Sequence, residues 1–228
     1  MAAWRGRLRV GVFALILGGA AAPPCQYGVE APASPPASGK VLYQNDFEQA
    51  TTVPDDILVL DGAFSIKTDK GNKFLELAGA PLDTFGVLAG PAEAVNVRVS
   101  ARVFGTGKGL RGPVFGVGLN GGGGYKLQVA PGKKQLELCK GDELLARAPY
   151  RWESGSWTVL CLQVRPVAEG QWKIEGKAWN QAAPEPAAWQ LTWDETTAPT
   201  AGRAALWGSP ISGTPIRYDN VRVTRVGK

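Results

Sequence analysis

Beyond residue 40, apolar and polar residues alternate along most of the chain, and turn signals interrupt the alternation every few residues. The pattern is densest between Gly121 and Val164, GGGGYKLQVAPGKKQLELCKGDELLARAPYRWESGSWTVLCLQV. Tyr125, Leu127 and Val129 share one parity, Leu136 and Leu138 form a second such set, and Leu160, Leu162 and Val164 a third. Pro131-Gly132, Gly141-Asp142 and Ser154-Gly155 separate these runs. A period of two with closely spaced turns predicts antiparallel strands, each with one face on a core.

The same pattern predicts strands at 40–47, 57–60, 63–67, 73–77, 84–89, 94–104, 113–120, 143–148, 171–179, 187–193, 203–208 and 216–226, with a break at Gly90-Pro91. In 94–104, Val95, Val97, Val99, Ala101 and Val103 face one way, and Asn96, Arg98, Ser100 and Arg102 face the other. No stretch has the 3.6-residue period of a long amphipathic helix, and no repeat of fixed length recurs. The fold class is therefore all-β, a sandwich or jelly roll.

Composition agrees: 228 residues, 44% hydrophobic, with 30 Gly and 17 Pro, suit a single turn-rich β domain. Residues 1–24 carry Arg5, Arg7 and Arg9 ahead of about 13 apolar residues that end in alanines. This predicts a secretory signal peptide, too short to span a bilayer, with cleavage near Ala20–Ala22 and an extracytoplasmic destination. Cys25 follows directly, which predicts either an acylated lipoprotein anchor or ordinary secretion with Cys25 free or removed. Residues 25–39, rich in Pro, Ala and Ser, predict a linker, and 40–228 the folded domain. Without 1–24 the formal charge drops from +5 to +2 (22 basic, 20 acidic), which offers no basic patch for nucleic acid. The absence of histidine excludes Ser-His-Asp and Cys-His catalysis and imidazole-ligated zinc.

The order of motifs from Asp46-Phe47-Glu48 through GNKFLELAG, FGVGLN and GGYKLQV, then Trp152-x-x-Gly155-x-Trp157 and finally Asp219-Asn220-Val221-x-Val223, resembles the concanavalin A-like lectin/glucanase superfamily. The likeness is to its laminin-G-like jelly rolls and the relatives of family 16 glycoside hydrolases, and it spans about residues 40–228. It implies a jelly-roll sandwich of two curved antiparallel sheets, adjacent first and last strands, and a concave face that commonly binds saccharide. It also implies a structural calcium that ties first strand to last, for which Asp46 and Asp219 with backbone oxygens are the candidates. Asp219, in parity with Val221 and Val223, otherwise reads as an inward carboxylate needing a cation or N–H donors, or as a turn cap.

The glucanases of that superfamily carry E-x-D-x-x-E or E-x-D-x-E on one strand, and no such spacing occurs here. The pairs Asp55-Asp56, Asp142-Glu143 and Asp194-Glu195 point to opposite faces if in strands, or sit in turns. A lyase using Tyr or Lys, with Arg against a uronate, stays open as an alternative. Gly116-x-Gly118-x-x-Gly121 leads into more glycines and another strand rather than a helix, so it is no dinucleotide motif. Seven of eight tryptophans lie between 152 and 207. Trp157, Trp172 and Trp207 suit packing, while Trp179 and Trp189 suit exposure and sugar stacking. Arg98, Arg102, Lys126, Gln128, Glu137 and Trp179 are the candidate ligand-binding residues, expected to line one groove. Cys139 and Cys161 point off the core on nearby strands and are candidates for a disulfide. The leading expectation is a non-catalytic carbohydrate-binding module. The alternatives are an atypical saccharide hydrolase or lyase, and a structural or protein-interaction domain.

Overall fold

The computed structural model describes Met1 and residues 39–80, 83–109 and 111–227. The expected signal peptide apart from Met1, the expected lipidation at Cys25 and all but the last residue of the expected linker lie outside the described residues.

Two antiparallel sheets account for the fold. The eight-stranded sheet runs β13 (Leu191–Glu195), β12 (Gln171–Asn180), β11 (Trp157–Ala168), β6 (Val97–Phe104), β15 (Ile216–Arg225), β4 (Asn72–Leu77), β3 (Phe64–Asp69), with β1 (Val41–Asn45) also paired to β15. The seven-stranded sheet runs β10 (Glu143–Pro149), β9 (Gln135–Lys140), β8 (Tyr125–Ala130), β7 (Val114–Leu119), β14 (Gly202–Ser209), β5 (Phe85–Glu93), β2 (Leu58–Asp61). The first and last strands are neighbours, Tyr43 opposite Val223 and Asn45 opposite Val221.

The alternating residues make the interior. Val97, Val99, Ala101 and Val103 of β6 and Leu160, Leu162 and Val164 of β11 are buried. They face Tyr125, Leu127 and Val129 of β8 and Leu136 and Leu138 of β9 in one continuous core. Each such aliphatic side chain stabilises the fold by roughly 1.5–3 kcal/mol relative to exposure.

Local irregularities differ from the simple alternation. Gly90-Pro91 does not end a strand. It is a distortion inside β5, where Gly202 opposes Glu93 but Ala204 opposes Ala89. Gly90 takes φ +73°, and a Cβ there would lie 3.0 Å from Tyr43. Val95 lies outside β6 because Asn96, at φ 56°, turns the chain just before it. Gly116 faces outward on β7, where a Cβ would fall 2.9 Å from the Trp207 indole nitrogen. It would meet the Leu127 carbonyl oxygen of β8 even sooner, so the missing side chain makes room for both the neighbouring backbone and a tryptophan of the same protein.

One polar clamp crosses between the sheets at their edge. Glu195 of β13 accepts hydrogen bonds from the Tyr125 hydroxyl (2.8 Å), the Lys140 ammonium (2.7 Å) and the Thr197 backbone N–H (2.9 Å). Burial alone would raise the Glu195 carboxyl, but these donors outweigh it and hold the group at about 2. Burial and the adjoining carboxylate push the Tyr125 phenol up. Because the folded value of Glu195 lies below the unfolded one, its stabilisation is present above about pH 4.3 and is lost as pH falls towards 2. Glu195→Gln is therefore expected to lower stability at pH 7 by about 1–3 kcal/mol. It should also flatten the acid-side fall, as read from urea unfolding at pH 7, 4 and 2.5. A variant curve that coincides with wild type at all three pH values would show that the clamp contributes nothing.

Candidate functional site

The outer face of the eight-stranded sheet is built from the polar parity of its central strands. On β6 these are Arg98, Ser100 and Arg102. Opposite them β11 presents Gln163, Cys161 and Val159 in the same order, and β12 continues the last row with Trp179. On the other side, Thr224, Arg222 and Asp219 of β15 stand against Arg98, Ser100 and Arg102. A groove of about 640 Å³ lies over this patch, with Gln181 and Glu185 at one flank and Arg225 at another.

Its floor is fixed by an ion pair. Arg102 donates to Asp219 Oδ2 from Nε (3.1 Å) and Nη2 (2.5 Å), to Asn72 Oδ1 from Nη2 (2.6 Å) and to Gln181 Oε1 from Nη1 (3.3 Å). The guanidinium also lies 4.6 Å over the Trp157 ring. Asp219, only 1% exposed, further accepts from Asn72 Nδ2 (2.9 Å) and from the Asn220 backbone N–H (2.6 Å). Sequence parity places Asp219 on the face of Val221 and Val223, but the structure places it on the opposite face. An extra residue sits between Asp219 and Arg222 relative to β6, with Asn220 at φ 50°, and this bulge reverses the parity. The carboxylate, on the outer face and not among the core valines, is paired with the Arg102 cation and the Asn220 N–H.

A calcium ion does not fit here. The guanidinium stands against Asp219 where a cation would, and Oδ2 already accepts from Arg102 and Asn72 while Oδ1 accepts from the Asn220 N–H. Asp46 is exposed and accepts from the Glu48 N–H (3.2 Å), a turn-capping geometry. Among the described residues no group of three or more Asp, Glu, Cys or His converges on a metal position.

The wall of the groove is the segment 181–190 folded back on β12. Lys177, buried, ion-pairs Glu185 (2.7 Å), donates to Pro186 O (2.7 Å) and lies 4.7 Å from the Trp189 ring. Gln190 bonds both the N–H and C=O of Ala178. Trp179 and Trp189 are thus half-buried beside Lys177, and Trp179 alone of the two lines the groove. Cys161 lies on the floor, its thiol pushed up to about 12 by burial.

The six candidate ligand residues do not share one groove. Arg98, Arg102 and Trp179 line it, but β8 and β9 belong to the other sheet, so Lys126, Gln128 and Glu137 face away on the opposite side of the molecule. There Glu137 is sealed by Gln128 (2.5 Å) and Lys133 (2.9 Å), and Lys126 lies 5.3 Å from the Trp207 ring. The same division of sheets rules out the disulfide. Cys139 on β9 and Cys161 on β11 point outward from different sheets, and both are free.

Sequence reasoning missed Arg222, Thr224, Gln181 and Glu185. The alternation of Val221 and Val223 with Arg222 and Thr224 holds the signal for the first two, but only the pairing of β15 with β6 places them beside Arg98 and Ser100. A second cleft of about 820 Å³ is lined by Arg111, Lys134, Tyr150, Arg151 and Trp152 at the loops around β10, and pattern analysis gave no hint of it.

No protein-family model and no curated protein matches the sequence. Solved structures do match in fold. The carbohydrate binding module CBM66 from Bacillus subtilis aligns at 10% identity with TM-score 0.53, over 74% of this chain and 95% of that one. The metal-free carbohydrate recognition domain of Emp46p aligns at 9% and 0.56, over 84% and 100%. The PL-14 alginate lyase from Aplysia kurodai aligns at 11% and 0.52, over 82% and 99%. The chain therefore has the concanavalin A-like jelly-roll fold.

Breaking a buried ion pair strands the surviving charge, so Asp219→Ala is expected to cost about 3–5 kcal/mol in urea unfolding. Arg102→Met combined with Asp219→Leu should recover a large part of that loss. Equal destabilisation by the single and double variants would contradict the pair's role.

Proposed function

We propose that the protein binds saccharide in the groove on the outer face of the eight-stranded sheet, without cleaving it, and does so outside the cytoplasm. The observation that carries this reading is the lining itself. Trp179 offers a ring face to the C–H surface of a sugar, while Arg98, Ser100, Thr224, Arg222 and Gln181 offer hydrogen-bonding groups to its hydroxyls. The volume of about 640 Å³ falls in the range of small-ligand sites. The three solved structures named above, a carbohydrate binding module, a carbohydrate recognition domain and an alginate lyase, lend support by likeness of fold.

The lining argues against hydrolysis. Glycosidases need two carboxyl groups roughly 5–9 Å apart. Here Glu185 is the one carboxylate among the lining residues, and Lys177 holds it in an ion pair. The lining also includes no tyrosine or lysine to serve as a lyase base. The extracytoplasmic placement, with or without an anchor at Cys25, rests on the pattern of residues 1–25.

A glycan array followed by calorimetry tests the reading. The chain should retain at least one class of polysaccharide, release no new reducing ends from it, and lose about tenfold in affinity on Trp179→Ala, the scale of a central aromatic contact. Failure to retain any glycan would leave a structural or protein-interaction domain. New reducing or unsaturated ends would make it an enzyme.

A further inference from the structure

The charges around the groove do not balance. Arg102 is matched by Asp219, Arg225 by Glu93 (2.6 Å) and Lys177 by Glu185 (2.7 Å). Two arginines are left. Arg98 donates from Nε (3.1 Å) and Nη2 (2.7 Å) to the neutral amide oxygen of Gln163. The acid beyond that amide, Glu175, is held by two bonds from Arg165 (2.8 and 3.1 Å). The Arg222 side chain makes no hydrogen bond and no ion pair among the described residues, and its Nε is buried without an acceptor.

These two side chains rise from neighbouring positions of the sheet and line the same groove. Arg222 lies opposite Ser100 and Arg98 opposite Thr224, so they are diagonal neighbours on adjacent strands with both hydroxyls between them. Diagonal positions on one face are about 7–8 Å apart, within reach of one another for side chains as long as arginine. Arg98 leans the other way, to Gln163 and with its guanidinium 5.5 Å over the Trp189 ring, so the unmet need on this face is the buried Arg222 N–H, which is costly without an acceptor. A single anionic group in the groove supplies that acceptor and can also take the N–H groups that Arg98 does not spend on Gln163. The planar fork of a guanidinium matches the oxygens of a carboxylate or sulfate, and pairs with them more strongly than with a neutral hydroxyl.

We propose that Arg98 and Arg222 select an acidic saccharide, binding its carboxylate or sulfate over Ser100 and Thr224. This rests on the groove being a saccharide site and adds the class of ligand. Cys161 beneath them stays a neutral thiol, so the floor adds no competing negative charge.

The test is calorimetry of the full chain with three ligands: alginate oligosaccharides as the carboxylated probe, dextran sulfate oligomers as the sulfated one, and dextran oligomers as the neutral one. At least one acidic probe is expected to bind ten times or more tighter than dextran at 50 mM salt, and the gap should narrow at 300 mM. Whichever acidic probe binds tighter identifies the anion. Arg222→Gln should bring the acidic probe down to the level of dextran, and Arg222→Lys should restore part of the preference. Arg98→Gln is the second variant, and circular dichroism melts verify that each variant is folded. Trp179→Ala, in contrast, should weaken all probes together. Equal affinity for dextran and both acidic probes would overturn the inference and leave the saccharide reading standing. So would an acid preference untouched by either glutamine variant. Binding of none of the three would overturn both.

Discussion

The pair of Arg102 and Asp219 decides more of this molecule than any other single contact. Two charges withdrawn from water break even only when nearly every donor and acceptor is matched. Here the carboxylate takes bonds from the guanidinium, an asparagine amide and the next backbone N–H. That last bond requires Asn220 to turn into the left-handed region, and the turn inserts one extra residue into β15. Everything beyond the bulge changes face. Val221 and Val223 enter the core, and Arg222 and Thr224 come out beside β6. The ion pair thus closes the interior below it and sets the polar residues of the groove above it.

The two outer faces of the sandwich meet different ends. On the seven-stranded sheet the outward row is consumed by its own neighbours. Trp207 lies over Gly116 with Lys126 near its ring, and Glu137 is saturated by Gln128 and Lys133. On the eight-stranded sheet the segment after β12 is pinned upright by Lys177 and Gln190, so the centre of the sheet is left as a trough. A hydrogen-bonding row that is not self-satisfied is what a ligand with many hydroxyls requires.

Structures that share this fold at 9–11% identity carry names that span recognition and cleavage of carbohydrate, so the fold leaves the chemistry undecided. The decision falls to the side chains. One paired carboxylate, amide and hydroxyl groups, a single tryptophan and two arginines without an acidic partner are the grounds on which we propose a binding groove.

The period-two alternation determined, by sequence alone, that the chain is all-β, and it located nearly every strand and the inward residues of β6, β8, β9 and β11. The lack of histidine and the missing glucanase spacing likewise narrowed the chemistry before any coordinates. Alternation is a local property, fixed by the pleat of each strand. Which strands lie side by side is a long-range property, fixed by how two sheets share one core. For that reason Arg98, Arg102 and Trp179 were legible as outward residues, yet their separation from Lys126, Gln128 and Glu137 was not. The two cysteines failed as a pair on the same ground, since β9 and β11 occupy different sheets. Arg222 stayed hidden for a related reason. Its outward face follows from alternation with Val221 and Val223, but its place beside Ser100 and Arg98 depends on the pairing of β15 with β6. The one-residue bulge hid only the face of Asp219.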